Sequence, residues 1–123
     1  MADRFIVIYS PHNTPSLIVE EVARRTRCEV KCCYTPEQTL TASRMVNPFL
    51  VILLSITPII SGSGFIAKLH RITKPCPKIL VIAWQQSEQT ILSLLEEGID
   101  QYMTFPICLS RLYGKISSLL NEC

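Results

Sequence analysis

The chain has 123 residues, with 12 basic against 10 acidic side chains for a net charge of +2, and 48% of its residues are apolar. Those values fit one globular domain that can bury its own core, exclude a disordered chain, and give no reason to expect nucleic-acid binding. The longest apolar run falls well short of the ~20 residues of a membrane-spanning helix, and the opening MADRFIVIYS lacks the long apolar region and cleavage site of a secretory signal, so a cytoplasmic protein without membrane contact is expected.

In chain order, Arg4–Tyr9 (RFIVIY) reads as a strand. SPHNT follows as a loop, with Thr14 as helix cap and Pro15 at the first helical position. SLIVEEVARRTR reads as a helix. Cys28–Cys33 reads as a short strand, mostly alternating. Thr35 caps a second helix, with Pro36 at its start and Glu37 in its first turn, running to about Val46. Leu50–Leu54 is a wholly apolar strand. Gly62–Ile72 reads as a third helix, with Phe65, Ile66 and Leu69 at helical spacing. Ile79–Ala83 is again wholly apolar. Ser87 caps a fourth helix that ends at Gly98. Gln101–Thr104 is the last strand, and Leu109–Leu120 the last helix.

This is five β-α units in strict alternation. It predicts a parallel sheet with helices on both faces. The apolar central strands fit burial on both sides.

The six cysteines, Cys28, Cys32, Cys33, Cys76, Cys108 and Cys123, form no C-x-x-C pair and have no histidine at metal-ligand spacing. Buried free thiols are expected, rather than a disulfide framework or a zinc site. Cys32 and Cys33 are neighbours on a strand and should face opposite ways. Arg24, Arg25 and Arg27 read as a solvated helix end that suits the helix dipole; the alternative is a docking patch.

The stretch PFLVILLSITPIISG, from Pro48 to Gly62, begins as a buried strand and breaks into Ser, Thr, Pro and Gly. After a central strand of an α/β protein, such a break is where chemistry usually lies. Here the chain delivers Leu54. The offsets of Pro58 and Gly62 from Leu54, four and eight residues, resemble the phosphoacceptor segment of response-regulator receiver domains. ILVIAWQQSEQTILSLLEEGIDQYMTFPI is similar to the fourth strand, fourth helix and fifth strand of that family, and the likeness spans residues 1–123. It implies a flavodoxin-like (βα)5 three-layer sandwich with sheet order 2-1-3-4-5.

Position by position, the resemblance puts the phosphoacceptor Asp on Leu54 and the Mg²⁺-holding acidic pair on Tyr9 and Ser10. The Ser or Thr that ends the fourth strand falls on Ala83. The Lys before proline falls on Phe105, and the switch aromatic on Tyr102. Pro106 keeps the family's proline, whose preceding bond is commonly cis, so a cis Phe105–Pro106 bond is expected. Independently of that alignment, the chain has only two aspartates, Asp3 and Asp100. Each precedes a strand, so neither can reach the C-terminal edge of the sheet. Leucine has no nucleophilic atom, tyrosine and serine cannot neutralise Mg²⁺, and phenylalanine offers no cation. Buried against each other, Leu54 and Phe105 could contribute ~2–3 kcal/mol each.

Ser10 and His12 form a conceivable nucleophilic pair, although ordinary loop and capping roles account for Ser10, His12, Asn13 and Thr14. The hydroxyls of Ser55 and Thr57 are expected to satisfy the turn before Pro58. SGSG at Ser61–Gly64 starts a helix and could accept an anion, but it lacks the remainder of a phosphate loop. His70 is expected at the surface. Trp84, Tyr102, Arg111 and Tyr113 are expected on one face. On the resemblance, that face (fourth helix, fifth strand, fifth helix) carries protein partners or a homodimer contact. The expected whole is an atypical receiver domain that signals by protein recognition, without aspartyl phosphorylation, enzymatic activity, cofactor or metal. The alternative is a flavodoxin-like small-ligand module using the same sheet edge.

Overall fold

The computed structural model describes residues 4–11 and 16–121. Its strands are β1 (Phe5–Tyr9), β2 (Glu29–Cys33), β3 (Leu50–Leu53), β4 (Lys78–Ala83) and β5 (Gln101–Thr104). Its helices are α1 (Ser16–Arg24), α2 (Pro36–Val46), α3 (Thr57–Ile60), α4 (Phe65–Ile72), α5 (Glu88–Glu97) and α6 (Leu109–Leu120). The strands form one five-stranded sheet in the order β2-β1-β3-β4-β5, every pair parallel. This is the flavodoxin-like arrangement expected.

Alternation along each strand sends side chains to two separate cores. On one face, Ile6, Ile8, Leu50, Ile52, Leu80 and Ile82 pack with Val19 of α1 and with Leu112 and Ile116 of α6. On the other, Val7, Val51, Leu53, Ile79 and Val81 pack with Ile59 of α3, with Phe65 and Leu69 of α4, and with Leu94 of α5. β3 is buried along its whole length, as its apolar composition requires.

The capping signals work as the residues suggest. The Thr35 hydroxyl accepts the Gln38 N–H, with Pro36 at the start of α2. Ser87 accepts the Thr90 N–H, and Gly98 closes α5 in the left-handed region at φ 118°. A Cβ at Gly98 would stand 3.3 Å from Ile66 Cγ2 and 3.4 Å from His70 Cε1. His70 is accordingly half-buried against this turn rather than fully at the surface.

Two helix boundaries differ from the sequence reading. The helix expected over 62–72 begins only at Phe65, as α4, and a one-turn helix that the sequence reading did not include, α3, precedes it. Pro58 lies in the first turn of α3, where its missing N–H costs nothing, and Gly64, at φ 71°, turns the chain into α4. The helix over SLIVEEVARRTR stops at Arg24, and Arg27 enters the left-handed region at φ 66° before β2. Thr14 and Pro15, read as its start, lie outside the described residues, as do Asp3, His12, Asn13 and Cys123. The Phe105–Pro106 bond is cis, as expected, and so is Lys74–Pro75.

Candidate functional site at the C-terminal edge of the sheet

In a parallel sheet all the strands end at one edge. Ser10, Leu54 and Phe105 each follow the last residue of a strand yet stay tied to the ladder. The Ser10 N–H donates to the Cys33 carbonyl (2.9 Å), the Leu54 N–H to the Tyr9 carbonyl (2.9 Å), and the Phe105 N–H to the Ala83 carbonyl (3.0 Å). The structure therefore brings Tyr9, Ser10, Leu54, Ala83 and Phe105 to one row along this edge.

Their side chains then part. Leu54 is 3% exposed and belongs to the α1/α6 core, and the half-buried Phe105 packs against the same cluster. Tyr9 and Ala83 are buried in the opposite core. Burial pushes the Tyr9 phenol up, and the carboxylate of Glu37 adds to the effect. Ser10 is 2% exposed, and its hydroxyl donates to the Pro11 carbonyl at 3.3 Å.

The set is thus a buried phenol on one face, a serine hydroxyl already engaged with backbone, and three hydrocarbon side chains, those of Leu54, Ala83 and Phe105. It offers no carboxylate at the position of Leu54 and no cation at Phe105. A hard divalent ion takes oxygen ligands, chiefly carboxylates and water, and this set does not fit one. Among the described residues, no three His, Cys, Asp or Glu side chains come together as metal ligands. Asp100, the one aspartate among them, lies at the far edge of the sheet. Its carboxylate accepts the Ile79 N–H at 2.8 Å, and its own N–H donates to the Ile79 carbonyl.

Next to this row, the Trp84 ring lies 5.1 Å from that of Phe105, tilted by 47°, yet Trp84 remains 68% exposed. The Tyr102 hydroxyl donates to the Trp84 carbonyl at 2.8 Å, and burial pushes its phenol up. Tyr102 and Arg111 line one cleft of about 400 Å³ with Met103, Pro106 and Lys115. Tyr113 does not share it. Two residues on a helix are about 200° apart, which turns Tyr113 to a different cleft with Arg4, Arg25 and Arg27. Of the residues expected on one face, Tyr102 and Arg111 thus line the same cleft, Trp84 is tied to Tyr102 through its carbonyl, and Tyr113 lines another cleft.

The remaining candidates have local roles. The Ser55 hydroxyl accepts the Thr57 N–H at 3.1 Å, in the turn before Pro58. Ser10 has its backbone partner, and His12, its conceivable catalytic neighbour, lies outside the described residues. Arg24 and Arg25 pair with Glu20 and Glu21 one turn back, on the solvated face of α1. Cys32 and Cys33 face opposite cores, as alternation requires.

The expectation of buried thiols holds for Cys28 and Cys33 and fails for Cys76 and Cys108, which are exposed. Cys108 is the feature that sequence reasoning passed over. It occupies the cap of α6. A hydrogen bond with the Ser110 hydroxyl, and then the Arg111 backbone, hold its thiol below the usual range. The signal was available: Cys108 stands just before the last helix, where a Ser or Thr cap is usual.

No protein-family model matches the chain, and no curated protein does. Solved structures do. A two-component response regulator from Clostridium difficile is 21% identical with a TM-score of 0.81, and 97% of each chain is covered. A CheY-like response regulator receiver domain protein from Methanospirillum hungatei is also 21% identical, at TM-score 0.80, covering 97% of this chain and 94% of that one. A streptococcal protein, described as one of a family of redox sensors evolved from two-component response regulators, is 16% identical at TM-score 0.76. The match covers 95% of this chain and 51% of that one. At these identities the likeness concerns the fold, and the fold of this chain is that of the CheY-like receiver domains.

Proposed function

We propose that this domain acts in cytoplasmic signal transduction as an atypical receiver that recognises protein partners and takes no aspartyl phosphate. One observation carries the reading. The position matching the family's phosphoacceptor holds Leu54, 3% exposed and packed into the apolar core. Phosphoryl transfer to an aspartate requires a carboxylate nucleophile, a bound Mg²⁺ and a positive group for the transferred charge. Leu54, the Tyr9–Ser10 pair and Phe105 supply none of them. An apolar edge also removes the mutual repulsion and desolvation of an acidic cluster, so the former site adds to the core.

Recognition then falls to a surface. The face formed by α5, β5 and α6 presents Trp84 and Leu92, both largely exposed, beside the cleft of Tyr102, Arg111 and Lys115. An aromatic next to cationic side chains is a composition that protein interfaces favour.

The test is titration of the ¹⁵N-labelled protein with beryllofluoride and Mg²⁺, following amide shifts near Leu54 and Tyr102. No saturable shift is expected in either region. Saturable shifts in both would reinstate phosphate chemistry and end the proposal.

A further inference from the structure

The geometry points to a self-association site at the other end of the sheet, where β2 of one chain pairs antiparallel with β2 of a second copy about a two-fold axis through Val30. β2 is an edge strand with β1 as its neighbour. The Glu29 N–H donates to the Arg4 carbonyl, and the Cys33 carbonyl accepts from Ser10. Residues 29, 31 and 33 therefore turn their backbone groups towards β1, and Val30 and Cys32 turn theirs outward. Among the described residues no other segment pairs with this edge, and an open row of N–H and C=O groups is a template for another strand.

The side chains select both the partner and the register. Glu29 and Lys31 are exposed on the same face of the strand, either side of the half-buried Val30. Neither forms an ion pair among the described residues. In a two-fold antiparallel pairing centred on residue k, residue i stands opposite 2k − i. Centring on Glu29 or Lys31 sets like charges against each other, and centring on Cys32 sets Lys31 opposite Cys33 and Glu29 opposite Thr35, leaving both charges without a partner. Centring on Val30 sets each Glu29 opposite the partner's Lys31, twice. It also makes Val30 against Val30 the hydrogen-bonded pair, using the outward backbone groups, and leaves the charged pairs at the closer, non-hydrogen-bonded positions. A single lysine on an edge opposes pairing; a Glu and a Lys two residues apart favour it once a dyad relates them. The edge also borders a cleft of about 510 Å³, walled by Lys31, Cys33 and the exposed Met45, which a second copy beside β2 would cover. The resemblance alone places self-association on the α5–β5–α6 face, yet β5 (Gln101–Thr104) has no charged residue with which to set a register.

The test is sedimentation equilibrium of the whole chain at low salt. The wild type is expected to dimerise, and Glu29→Lys or Lys31→Glu alone to raise the dimer Kd about tenfold or more. A one-to-one mixture of these two variants restores association, because both cross-strand pairs become complementary again, and so does the double exchange in one chain. Val30→Pro removes an outward N–H that β1 does not use, a position where edge strands tolerate proline. It should give a monomer whose circular dichroism spectrum matches the wild type. A wild type that stays monomeric up to about 1 mM would overturn the inference. So would single charge reversals that leave the dimer Kd unchanged, or a mixture that fails to associate.

Discussion

Restoring a carboxyl at the edge of the sheet is the most direct trial of the idea that this edge has become core. Leu54→Asp removes a side chain that is 3% exposed and packed in the α1/α6 cluster. Losing its burial costs about 2 kcal/mol. The new carboxyl has Phe105, rather than a lysine, in the same cluster, and a buried polar group without a partner adds about 2 kcal/mol more. Together, about 4 kcal/mol is a large share of the ~5–15 kcal/mol that holds a domain folded, and for this size it lowers Tm by roughly 15 °C. The sign with pH follows from the same burial. Desolvation raises the folded-state pKa of the carboxyl above the ~3.9 of the unfolded chain. The variant therefore keeps more stability at low pH and loses it as pH rises through the folded value. Urea melts by circular dichroism at pH 4.5 and 7.5 should show the gap from wild type widening at the higher pH. Leu54→Asn, polar but uncharged, should show a gap that does not change with pH. A Leu54→Asp variant within about 1 kcal/mol of wild type at pH 7.5 would mean that the position is solvated and the edge still a polar site.

Two further outcomes test other parts of the structure. Cys108, exposed with its thiol held below the usual range, should be alkylated by iodoacetamide at lower pH and faster than Cys32, whose half-buried thiol is pushed up to about 12. Peptide mass spectrometry over a pH series reads the order, and equal rates would contradict the local hydrogen bonding described for Cys108. Asp100→Ala leaves the Ile79 N–H without its carboxylate acceptor and should cost about 1–3 kcal/mol in urea melts. Asp100→Asn keeps an acceptor oxygen and should recover most of that loss.

The strands and most helix limits were legible because the signals are local and agree with one another. The apolar runs at Leu50–Leu54 and Ile79–Ala83 specify strands buried on both faces, and Thr35, Ser87 and Gly98 each mark a helix end by an identifiable hydrogen bond or backbone requirement. The short helix α3 was missed for an equally physical reason. ITPII has apolar residues at helical spacing but is one turn long, and what separates it from α4 is the positive φ of Gly62 and Gly64, which composition alone does not reveal. At the edge of the sheet, the sequence identified which residues would gather but not which way they would face. Tyr9 and Ser10 are adjacent, so alternation sends the phenol to one core and places the hydroxyl on the opposite face. Arg111 and Tyr113 part in the same way around the helix axis. The exposure of Cys76 and Cys108 depends on tertiary packing and could not have been read from spacing.

For the proposed signalling role, the consequence lies in energy differences between conformations. A ligand or a modification shifts a two-state equilibrium only by as much as it interacts differently with the two states. At the position where the resemblance expects a hydroxyl, Ala83 carries a methyl group buried in the α2–α5 core. Leu54 brings no charge that could draw such a group. Tyr102, the aromatic kept in kind, has its hydroxyl committed to the Trp84 carbonyl. Under the proposed function, these side chains give an added phosphate nothing to bind that would favour one arrangement of β4–β5 over another. On this reading the surface beside Trp84 is set by folding, and control must come from whatever occupies it, or from contacts at the opposite edge of the sheet, where the exposed charges Glu29 and Lys31 are spaced to recognise a second copy of the strand.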